Sequence, residues 1–306
     1  MQLSIIIPVF NENESLPYLK KELDDVLVQF SDWEVLFIDD GSSDGSSEYL
    51  IDICSNEDNY RLIHFYRNYG KSAALSEGFK NADGDYIITM DADLQDDPKE
   101  IPNLVDKLKD GWDLVSGWKK IRYDPISKTL PSKIFNFFTR ILTGVKIHDF
   151  NCGLKAYNKS VIKSIEIYGG RHRYIPAIAG QRKFKITEII VNHRAREYGK
   201  TKYGGSRIFH GFFDLITILF LNRYDQQPLH FFGSFGLISL FFGILVECFV
   251  LYYKYILGQS FSKHFALLML GVMLIVIGIQ FFSIGLLGEL LARTSQGQEK
   301  RIKKYI

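Results

Sequence analysis

Short apolar runs alternate with amphipathic stretches over about the first 200 residues. Apolar or β-branched runs bounded by turn residues predict strands, and an apolar residue every three or four positions predicts a helix. The predicted strands are Leu3–Val9, Trp33–Ile38, Arg61–Phe65, Tyr86–Met90, Asp113–Ser116, Lys155–Tyr157 and Ile186–Val191. Helices are predicted up to Phe30, up to about Cys54, over Ser72–Ala82 and over Pro98–Lys109. This alternation predicts an α/β fold with a mainly parallel sheet.

The C-terminal third follows a different pattern. The segments Phe231–Tyr253 and Phe265–Leu287 are 23 residues each, and Glu247 is the single charged residue within them. Helices of this length reach roughly 35 Å and can cross a hydrocarbon core of ~30 Å. A buried helical hairpin in a soluble protein is the alternative, and two such spans in series argue against it. We expect Glu247 to face a helix partner, to lie near the outer interface or to be protonated.

The segment Ser206–Tyr224, directly before the first span, is apolar and aromatic with a few polar residues. A core helix or a dimer helix would fit this composition. Its position favours an amphipathic helix in the plane of the membrane interface. The predicted organisation is therefore a domain of residues 1–204, an interfacial helix and linker over 205–228, and a two-span transmembrane hairpin with a basic tail over 229–306.

Charge gives the predicted hairpin an orientation. Basic residues flank the two spans on one side, at Arg223, Arg293, Lys300, Arg301, Lys303 and Lys304, whereas the connector Lys254–His264 contains two lysines. The positive-inside rule predicts that the N-terminal domain and both termini are cytoplasmic, at a bacterial-type inner membrane. A net charge of +2 gives no strong field that would attract nucleic acid. The three cysteines lack metal-binding spacing and are interpreted as free thiols in a reducing compartment.

Acidic side chains follow three of the predicted strands. They are Glu12 and Glu14, Asp39 and Asp40, and Asp91 and Asp93, with Gln95 behind the last pair. Ligands bind beyond the carboxyl ends of the strands in such sheets. Because successive strand side chains point to opposite faces, Asp91 and Asp93 are predicted to share one face, with Gln95 following them. Two carboxylates suit a Mg²⁺ ion that carries substrate phosphates. A solvated acidic turn that caps the next helix is the alternative, and each further acidic strand end makes it less favourable.

Two nucleotide-binding motifs are excluded. No GxGxxG sequence follows the first strand, which disfavours a dinucleotide-dependent dehydrogenase. Residues Gly70-Lys71-Ser72 match the end of a P-loop, but Phe65 stands where that loop needs a glycine.

The stretches IIIPVFNE, FIDDGSSDGS and MDADLQDDP, in this order and spacing, resemble the inverting family 2 glycosyltransferases of the GT-A fold. The later stretches SGWKKIRYDP, LPSKIFNFFTR, DFNCGLKAY and YGKTKYGGSRI, followed by two spans, are similar to the polyprenyl-phosphate glycosyltransferases. That group includes the dolichyl-phosphate mannose synthases and the bactoprenol glucosyltransferases. The resemblance covers nearly the whole chain.

The resemblance implies a donor pocket at the first two strand ends. Pro8, Phe10 and Glu12 would line the nucleotide site, and Asp39 or Asp40 would accept a hydrogen bond from the base. Capping of the following helix is the alternative for one of these two aspartates.

The resemblance also implies a metal site. Asp91, Asp93 and Gln95 would hold Mg²⁺ or Mn²⁺ together with the donor diphosphate, and Asp93 is counted among the catalytic residues. The metal would neutralise charge on the departing nucleotide. Lys71 would lie near the nucleotide or the sugar, and a solvated loop lysine is the alternative.

The implied acceptor is a lipid monophosphate, which is largely a dianion at neutral pH because its second pKa is ~6. It therefore needs cations rather than a strong general base. Our candidates are Arg122, Lys133 and Arg140, aided by Ser132. Asp149 corresponds to an acid that the family keeps near the acceptor, or it organises its own loop.

Two lysines stand where the family has arginine, Lys119 and Lys133, which removes bidentate contacts to phosphate. Lys200, Lys202 and Tyr203 lie in a basic loop that could close over the diphosphate. Solvent or lipid headgroups are the alternative partners of these cations.

The sequence thus predicts inverting transfer of one sugar, first glucose from UDP-glucose, to polyprenyl (undecaprenyl) phosphate at the cytoplasmic membrane face. GDP-mannose or an amino sugar donor, and a non-lipid acceptor, are the alternatives. A non-catalytic scaffold predicts loss of the acid clusters, and they are intact. A polysaccharide synthase is disfavoured because its QxxRW motif is missing. Glycines 271, 278 and 285 form a stripe that suggests a homo-oligomer.

Overall fold

The computed structural model of the chain describes residues 2–120, 126–165, 167, 171–195, 217, 220, 224 and 227–295. The chain divides into two compact units, Met1–Ile216 and Thr217–Ile306. The predicted interfacial helix over 205–228 falls largely outside the described residues, as do Arg122, Lys200, Lys202 and Tyr203.

The first unit is built on a seven-stranded sheet. Its strands are β1 (Leu3–Val9), β2 (Trp33–Asp39), β3 (Tyr60–His64), β4 (Tyr86–Thr89), β5 (Leu114–Trp118), β6 (Lys155–Asn158) and β7 (Ile186–Ile190). Their order across the sheet is β3-β2-β1-β4-β6-β5-β7. All neighbouring pairs are parallel except those of β6, which is antiparallel to both β4 and β5. The expected α/β fold with a mainly parallel sheet is confirmed.

Helices connect these strands. They are α1 (Leu16–Leu27), α2 (Ser46–Asn56), α3 (Lys71–Asn81), α4 (Ile101–Lys109), α5 (Ile126–Thr143), α6 (Lys159–Ser164) and α7 (Ile175–Gln181), with short 3₁₀ turns at Pro98–Glu100 and Arg171–Tyr174. Residues 117–130 are basic and predict irregular structure, but they contain the start of α5. The polar stretch before β7 contains α7, whose Ile175 and Ala179 are buried.

Two apolar layers enclose the sheet. One lies against α1 and α4 and includes Ile5, Ile7 and Phe37, and the other lies against α3 and includes Ile6 and Leu36. Because alternate residues of β1 enter opposite layers, nearly every side chain of that strand is buried. This explains its continuous apolar run, which is typical of a parallel strand covered on both faces.

The second unit contains two long apolar helices, α8 (Pro228–Tyr255) and α9 (Phe265–Ser295), joined by a 3₁₀ turn at Phe261–His264. Both are long and apolar enough to cross a membrane. The start of α8 contacts the C-terminal part of α9, where the Leu229 amide donates to Glu289 Oε2 at 3.4 Å. Near the middle, the Ser239 hydroxyl donates to the Leu274 carbonyl at 2.7 Å.

The glycine stripe of α9 packs on α8 of the same chain. A Cβ on Gly278 would lie 2.8 Å from the Gly236 carbonyl, and one on Gly285 would lie 2.9 Å from Leu229. The side chain of Glu247 packs against Gly271 of α9. Glu247 therefore faces a helix partner, which was one of the three environments predicted for this acid. The stripe packs within the hairpin of one chain, and the homo-oligomer stays a prediction.

Candidate functional site

The carboxyl ends of β1, β2 and β4 lie side by side. In the parallel register Val9 pairs with Asp39, and Ile6 pairs with Thr89, the last residue of β4. The loops that follow these strands carry the acidic residues singled out by the sequence. The sheet therefore brings the predicted donor pocket and the predicted metal site to one edge.

The loop after β1 is joined to the turn after β2 by hydrogen bonds between backbone amides and side chains. Asn11 adopts a left-handed conformation with φ of 51°. Its amide donates to Ser42 Oγ at 2.9 Å, and its side-chain oxygen accepts from the Ser43 amide at 2.8 Å. The Glu12 amide donates to Ser46 Oγ at 2.9 Å. Glu12 is buried next to the partly exposed Phe10, so this loop has a fixed shape.

Asp39 is fully buried, and its carboxylate is engaged by its own unit. Oδ1 accepts from the Ser42 amide at 3.0 Å, while Oδ2 accepts from the Ser47 hydroxyl and lies 2.9 Å from His64 Nδ1. Asp39 therefore holds the turn between β2 and α2, and the capping alternative is wrong for it, because α2 has Gly45 at its N-cap and no side-chain cap.

Asp40 holds the loop after β3. Its two carboxylate oxygens accept from the amides of Tyr69 at 2.6 Å and Gly70 at 2.9 Å. Burial raises the pKa of Asp40, although these two hydrogen bonds oppose the shift. Gly70 has a φ of +92°, which favours glycine, and α3 begins directly after it. Asp40 thereby fixes the backbone from which Lys71 projects.

Lys71 reaches across the sheet edge and forms an ion pair with Asp91. The alternative of a solvated loop lysine is wrong, because only 23% of its side chain is exposed. Burial opposes ionisation of Asp91, but the charge of Lys71 and its hydrogen bond outweigh burial and lower the pKa of Asp91 to about 2. A Cβ on Gly153 would lie 2.6 Å from Asp91 Oδ2, so glycine leaves room for this ionised carboxylate.

Asp93 and Gln95 do not continue the strand. β4 ends at Thr89, and the chain then turns through Leu94, which has a φ of 61°. The Gln95 amide donates to Asp93 Oδ1 at 3.2 Å, as expected in a tight turn. The alternation that was to place Asp91 and Asp93 on one face therefore stops before them. The prediction failed on this point because periodicity gives no signal for the residue at which a strand ends.

The predicted metal ligands suit a divalent cation as a donor set. Asp91 is ionised, Asp93 and Gln95 add oxygens in the same turn, and the space in front of Gly153 admits the Asp91 carboxylate without a Cβ. Within the described part of the chain, no group of three or more His, Cys, Asp or Glu side chains forms a metal cluster. A cation held here would therefore depend on substrate oxygens, which is typical of Mg²⁺.

Two further acidic residues follow the turn, and no role was predicted for them. Asp96 is fully buried and pairs with Lys119, whose Nζ lies 2.7 Å from Asp96 Oδ1. Burial alone would lower the pKa of Lys119, but Asp96 raises it above its usual value. Asp97 accepts from Arg194 at 2.6 Å, and Arg194 also contacts Glu22 at 2.7 Å. In the sequence, these two acids are indicated only by the DDP tripeptide that follows the DxD motif.

His172 was also missed. Its Nδ1 lies 2.8 Å from Ser72 Oγ, which also accepts from the His172 amide at 3.2 Å. Burial and the nearby Lys71 hold the pKa of His172 well below its usual value, so the imidazole is neutral. Lys155 lies deeper, with its ammonium group on the Cys152 carbonyl, and burial lowers its pKa. A basic RHRY tetrapeptide gave no indication that it would reach Ser72.

The predicted acceptor residues Ser132, Lys133 and Arg140 lie on α5 and Asp149 follows it, whereas Arg122 lies outside the described residues. Lys133 is exposed, Arg140 is half-buried, and no acidic residue occurs in the helix. Four large apolar side chains are exposed on it, namely Phe137 at 51%, Phe138 at 51%, Ile141 at 60% and Leu142 at 47%.

Asp149 lies in the loop after α5 and is buried, with its Oδ1 accepting from the Asn151 amide at 3.1 Å. The alternative in which Asp149 organises its own loop is consistent with this contact.

Comparison with known proteins places this site in a family. The model of the family described as Glycosyl transferase family 2 matches residues 4–166. The chain is 38% identical over 300 residues to the dodecaprenyl-phosphate galacturonate synthase of Rhizobium johnstonii, covering 96% of this chain and 88% of that protein. It is 34% identical over 307 residues to the undecaprenyl-phosphate 4-deoxy-4-formamido-L-arabinose transferase of Salmonella choleraesuis, covering 100% and 92%.

The fold is also found in solved structures. Glucosyl-3-phosphoglycerate synthase from Mycobacterium tuberculosis, in complex with Mn²⁺ and UDP-glucose, superimposes with a TM-score of 0.56 at 18% identity, covering 72% of this chain and 78% of that one. This similarity supports the GT-A fold that the sequence predicted.

Proposed function

The chain belongs to glycosyl transferase family 2, and from this membership we propose that it transfers one sugar from a nucleotide-sugar donor to a polyprenyl phosphate at a membrane surface. Membership of this family supports the donor half of the reaction, in which the sugar is transferred from a nucleotide. Relatives that match almost the whole chain, and that are named for transfer to dodecaprenyl or undecaprenyl phosphate, support the acceptor half.

The observation that carries the acceptor half is the surface of α5. A helix without acidic residues combines exposed apolar side chains, such as Phe138 and Ile141, with the cations Lys133 and Arg140. This combination is typical of helices that lie at a lipid interface. A lipid phosphate needs both features, because its chain is apolar and its headgroup is a dianion. We therefore assign Lys133 and Arg140 to the acceptor phosphate, and extend that role to Arg122 in the preceding segment.

On the donor side, we propose that Pro8, Phe10 and Glu12 line the nucleotide pocket. Asp40 shapes this pocket through the amides of Tyr69 and Gly70. Asp39 is assigned to holding the turn after β2, because the Ser42 amide and the Ser47 hydroxyl already donate to its carboxylate.

Asp91, Asp93 and Gln95 are proposed to hold Mg²⁺ or Mn²⁺ together with the donor diphosphate. A bound divalent cation would neutralise charge that develops on the departing nucleoside diphosphate. The turn after β4 presents these oxygens, and Gly153 leaves room for the Asp91 carboxylate. Lys200, Lys202 and Tyr203, in the basic loop, are proposed to contact the same diphosphate.

The acceptor phosphate is the nucleophile in this proposal. Its second pKa of ~6 makes it largely dianionic at neutral pH, so no side chain has to remove a proton. Asp149 then shapes its loop rather than acting as a base. A phosphate oxygen attacks the anomeric carbon from the side opposite to the leaving nucleotide, and the configuration inverts.

The identity of the transferred sugar is the most specific part of the proposal. The sequence motifs favour glucose from UDP-glucose, whereas the relatives are named for galacturonate and 4-deoxy-4-formamido-L-arabinose. GDP-mannose is a further candidate donor. The positive-inside pattern supports placing the catalytic unit and both termini in the cytoplasm.

The proposal is tested by incubating the purified full-length protein with undecaprenyl phosphate, Mn²⁺ or Mg²⁺, and one nucleotide sugar at a time. The panel comprises UDP-glucose, GDP-mannose, a UDP-linked uronic acid and a UDP-linked amino sugar. We expect one lipid-linked monosaccharide, detected by mass spectrometry, and none when the metal is chelated. Sugar transfer to a glycan or protein acceptor, with no lipid product from any donor, would support the non-lipid alternative instead.

A further inference from the structure

The ion pair of Lys71 and Asp91 occupies the carboxylate that the proposed metal would need. The ammonium group contacts Asp91 Oδ1, with 23% of the Lys71 side chain and 33% of the Asp91 side chain exposed. An ammonium group on one oxygen of a carboxylate weakens the binding of a divalent cation to the same carboxylate, because the two cations repel each other. The ion pair and the metal site are therefore competing arrangements of the same group.

The position of Lys71 is built into the backbone. Asp40 accepts from the amides of Tyr69 and Gly70, and Gly70 takes a left-handed φ of +92° before α3 begins. Lys71 thus starts the helix from a fixed point at the sheet edge. Its contact with Asp91, 20 positions away in the sequence, is therefore held by the tertiary structure and is not a loose surface pair.

Other cations add to the positive charge around Asp91. Lys119 and Lys155 are buried close enough to act electrostatically on this part of the site, and Asp96 neutralises Lys119 by direct contact. A metal ion that binds without a nucleotide would meet carboxylates whose negative charge is already balanced by lysines. A nucleoside diphosphate changes this balance, because it brings negative phosphate oxygens that can accept both the metal and the ammonium group.

We propose that Lys71 is the counter-cation of Asp91 in the metal-free protein, and that it releases this carboxylate to the metal when a nucleoside diphosphate offers its ammonium group phosphate oxygens instead. This inference rests on the proposed function for the location of the metal site. Binding of the metal and of the nucleotide is then cooperative, and linkage requires each ligand to strengthen the other by the same factor.

The coupling has a functional consequence. Metal would accumulate at Asp91 only together with the donor nucleotide, so the carboxylate is kept ionised and in place between turnovers without a resident ion. Lys71 is a positioning residue for Asp91 in the empty state and a phosphate ligand in the loaded state.

The test measures Mn²⁺ binding by isothermal titration calorimetry on the full-length protein in detergent, with and without UDP. The variants are Lys71→Met, Lys71→Arg and the control Lys80→Met. Lys80 lies on the same helix, with 65% of its side chain exposed, and pairs with Glu77 instead of Asp91. Thermal unfolding of each variant establishes that it is folded, and Lys71→Arg keeps the positive charge if Lys71→Met is unstable.

In the wild type we expect UDP to lower the Kd for Mn²⁺ about tenfold or more, within the usual range of coupling between sites. Lys71→Met should bind Mn²⁺ alone at least about fivefold more tightly than the wild type and gain less from UDP. Lys71→Arg and Lys80→Met should behave as the wild type does. Unchanged or weaker binding of Mn²⁺ alone to folded Lys71→Met would overturn the proposal.

Failure of this inference and failure of the proposed function give different results. If the protein forms a lipid-linked sugar but Lys71→Met does not bind Mn²⁺ more tightly, the exchange is wrong and the function remains. If Lys71→Met binds Mn²⁺ more tightly but no lipid-linked sugar forms with any donor, the exchange holds and the acceptor assignment is wrong.

Discussion

The two acidic pairs that follow β4 have opposite surroundings although they lie in one short segment. Asp91 and Asp93 are partly exposed, and the Asp91 side chain is 33% exposed, with Lys71 as its ion-pair partner. Asp96 and Asp97 are buried, and each is held by a cation from a distant part of the chain, Lys119 and Arg194 respectively.

This difference distinguishes carboxylates that can bind a ligand from carboxylates that stabilise the fold. A carboxylate that can exchange its partner is available to a ligand, whereas a buried carboxylate with a fixed cation cannot release it without a large cost. Asp96 and Asp97 anchor the residues that lead into two basic segments, after Lys119 and after Arg194. The first pair is thus suited to chemistry, and the second fixes Lys119 and Arg194.

The strongest test of the first pair is Asp91→Asn. We expect sugar transfer to fall about 100- to 1,000-fold, the usual cost of removing one preorganised charge from a polar site. Stability should change by less than about 1 kcal/mol, because the lost ion pair is partly exposed. The initial rate of lipid-linked sugar formation measures this, with Glu77→Gln on α3 as the control. A variant that retains more than about a tenth of the rate would contradict the role.

The strongest test of the second pair is Asp96→Ala. It leaves the charge of Lys119 buried without its partner, and we expect the protein to lose about 3–5 kcal/mol of stability. The double variant Asp96→Ala with Lys119→Met should recover most of this loss, because no uncompensated charge remains. Thermal unfolding in detergent gives the comparison. Equal midpoints for the single and double variants would show that the pair is not the source of the effect.

A subtler change at the first pair is Gly153→Ala. The new Cβ would lie 2.6 Å from Asp91 Oδ2 and must displace that carboxylate. We expect transfer to fall about 10- to 100-fold, since misplacement of a catalytic group by ~1 Å can cost this much. The control is Gly180→Ala on α7, where the added carbon meets Val145 rather than Asp91. Similar losses of transfer in the two variants would argue that general destabilisation is responsible.

The smallest effect concerns the pH dependence of the second pair. Burial opposes ionisation of Asp97, but hydrogen bonds from Arg194, the Lys99 amide and Asn192 hold its pKa below 3.8. A depressed pKa contributes stability above the unfolded value and loses it as the pH falls through the folded value. Wild type should therefore exceed Asp97→Asn in unfolding midpoint at pH 6, and the difference should shrink below about pH 4. A difference that stays constant down to pH 2 would contradict this.

Much of the fold followed from the pattern of apolar residues. β1 and β2 begin where they were predicted, because an apolar run flanked by turn residues has few other solutions. The end of β4 was predicted one residue late, at Met90 instead of Thr89. The two long helices were also anticipated, since 23 apolar residues fix a length independently of their neighbours.

The site was predictable in its location but not in its partners. The acids at strand ends identified the correct edge of the sheet, because parallel strands deliver their carboxyl ends together. The partners depend on contacts between distant residues. Ser72 meets His172 from 100 positions away, and no periodic signal links them.

By itself, the sequence determined the order of strands and helices, the two apolar spans and the acidic edge of the sheet. Each of these depends on neighbours along the chain, where spacing and hydrophobicity act directly. Only the tertiary structure decided that Lys71 neutralises Asp91, that Asp39 holds the turn after β2, and that the glycines of α9 pack on α8. Such choices depend on burial and on charges brought together by packing, and neither is encoded in the spacing of residues along one element.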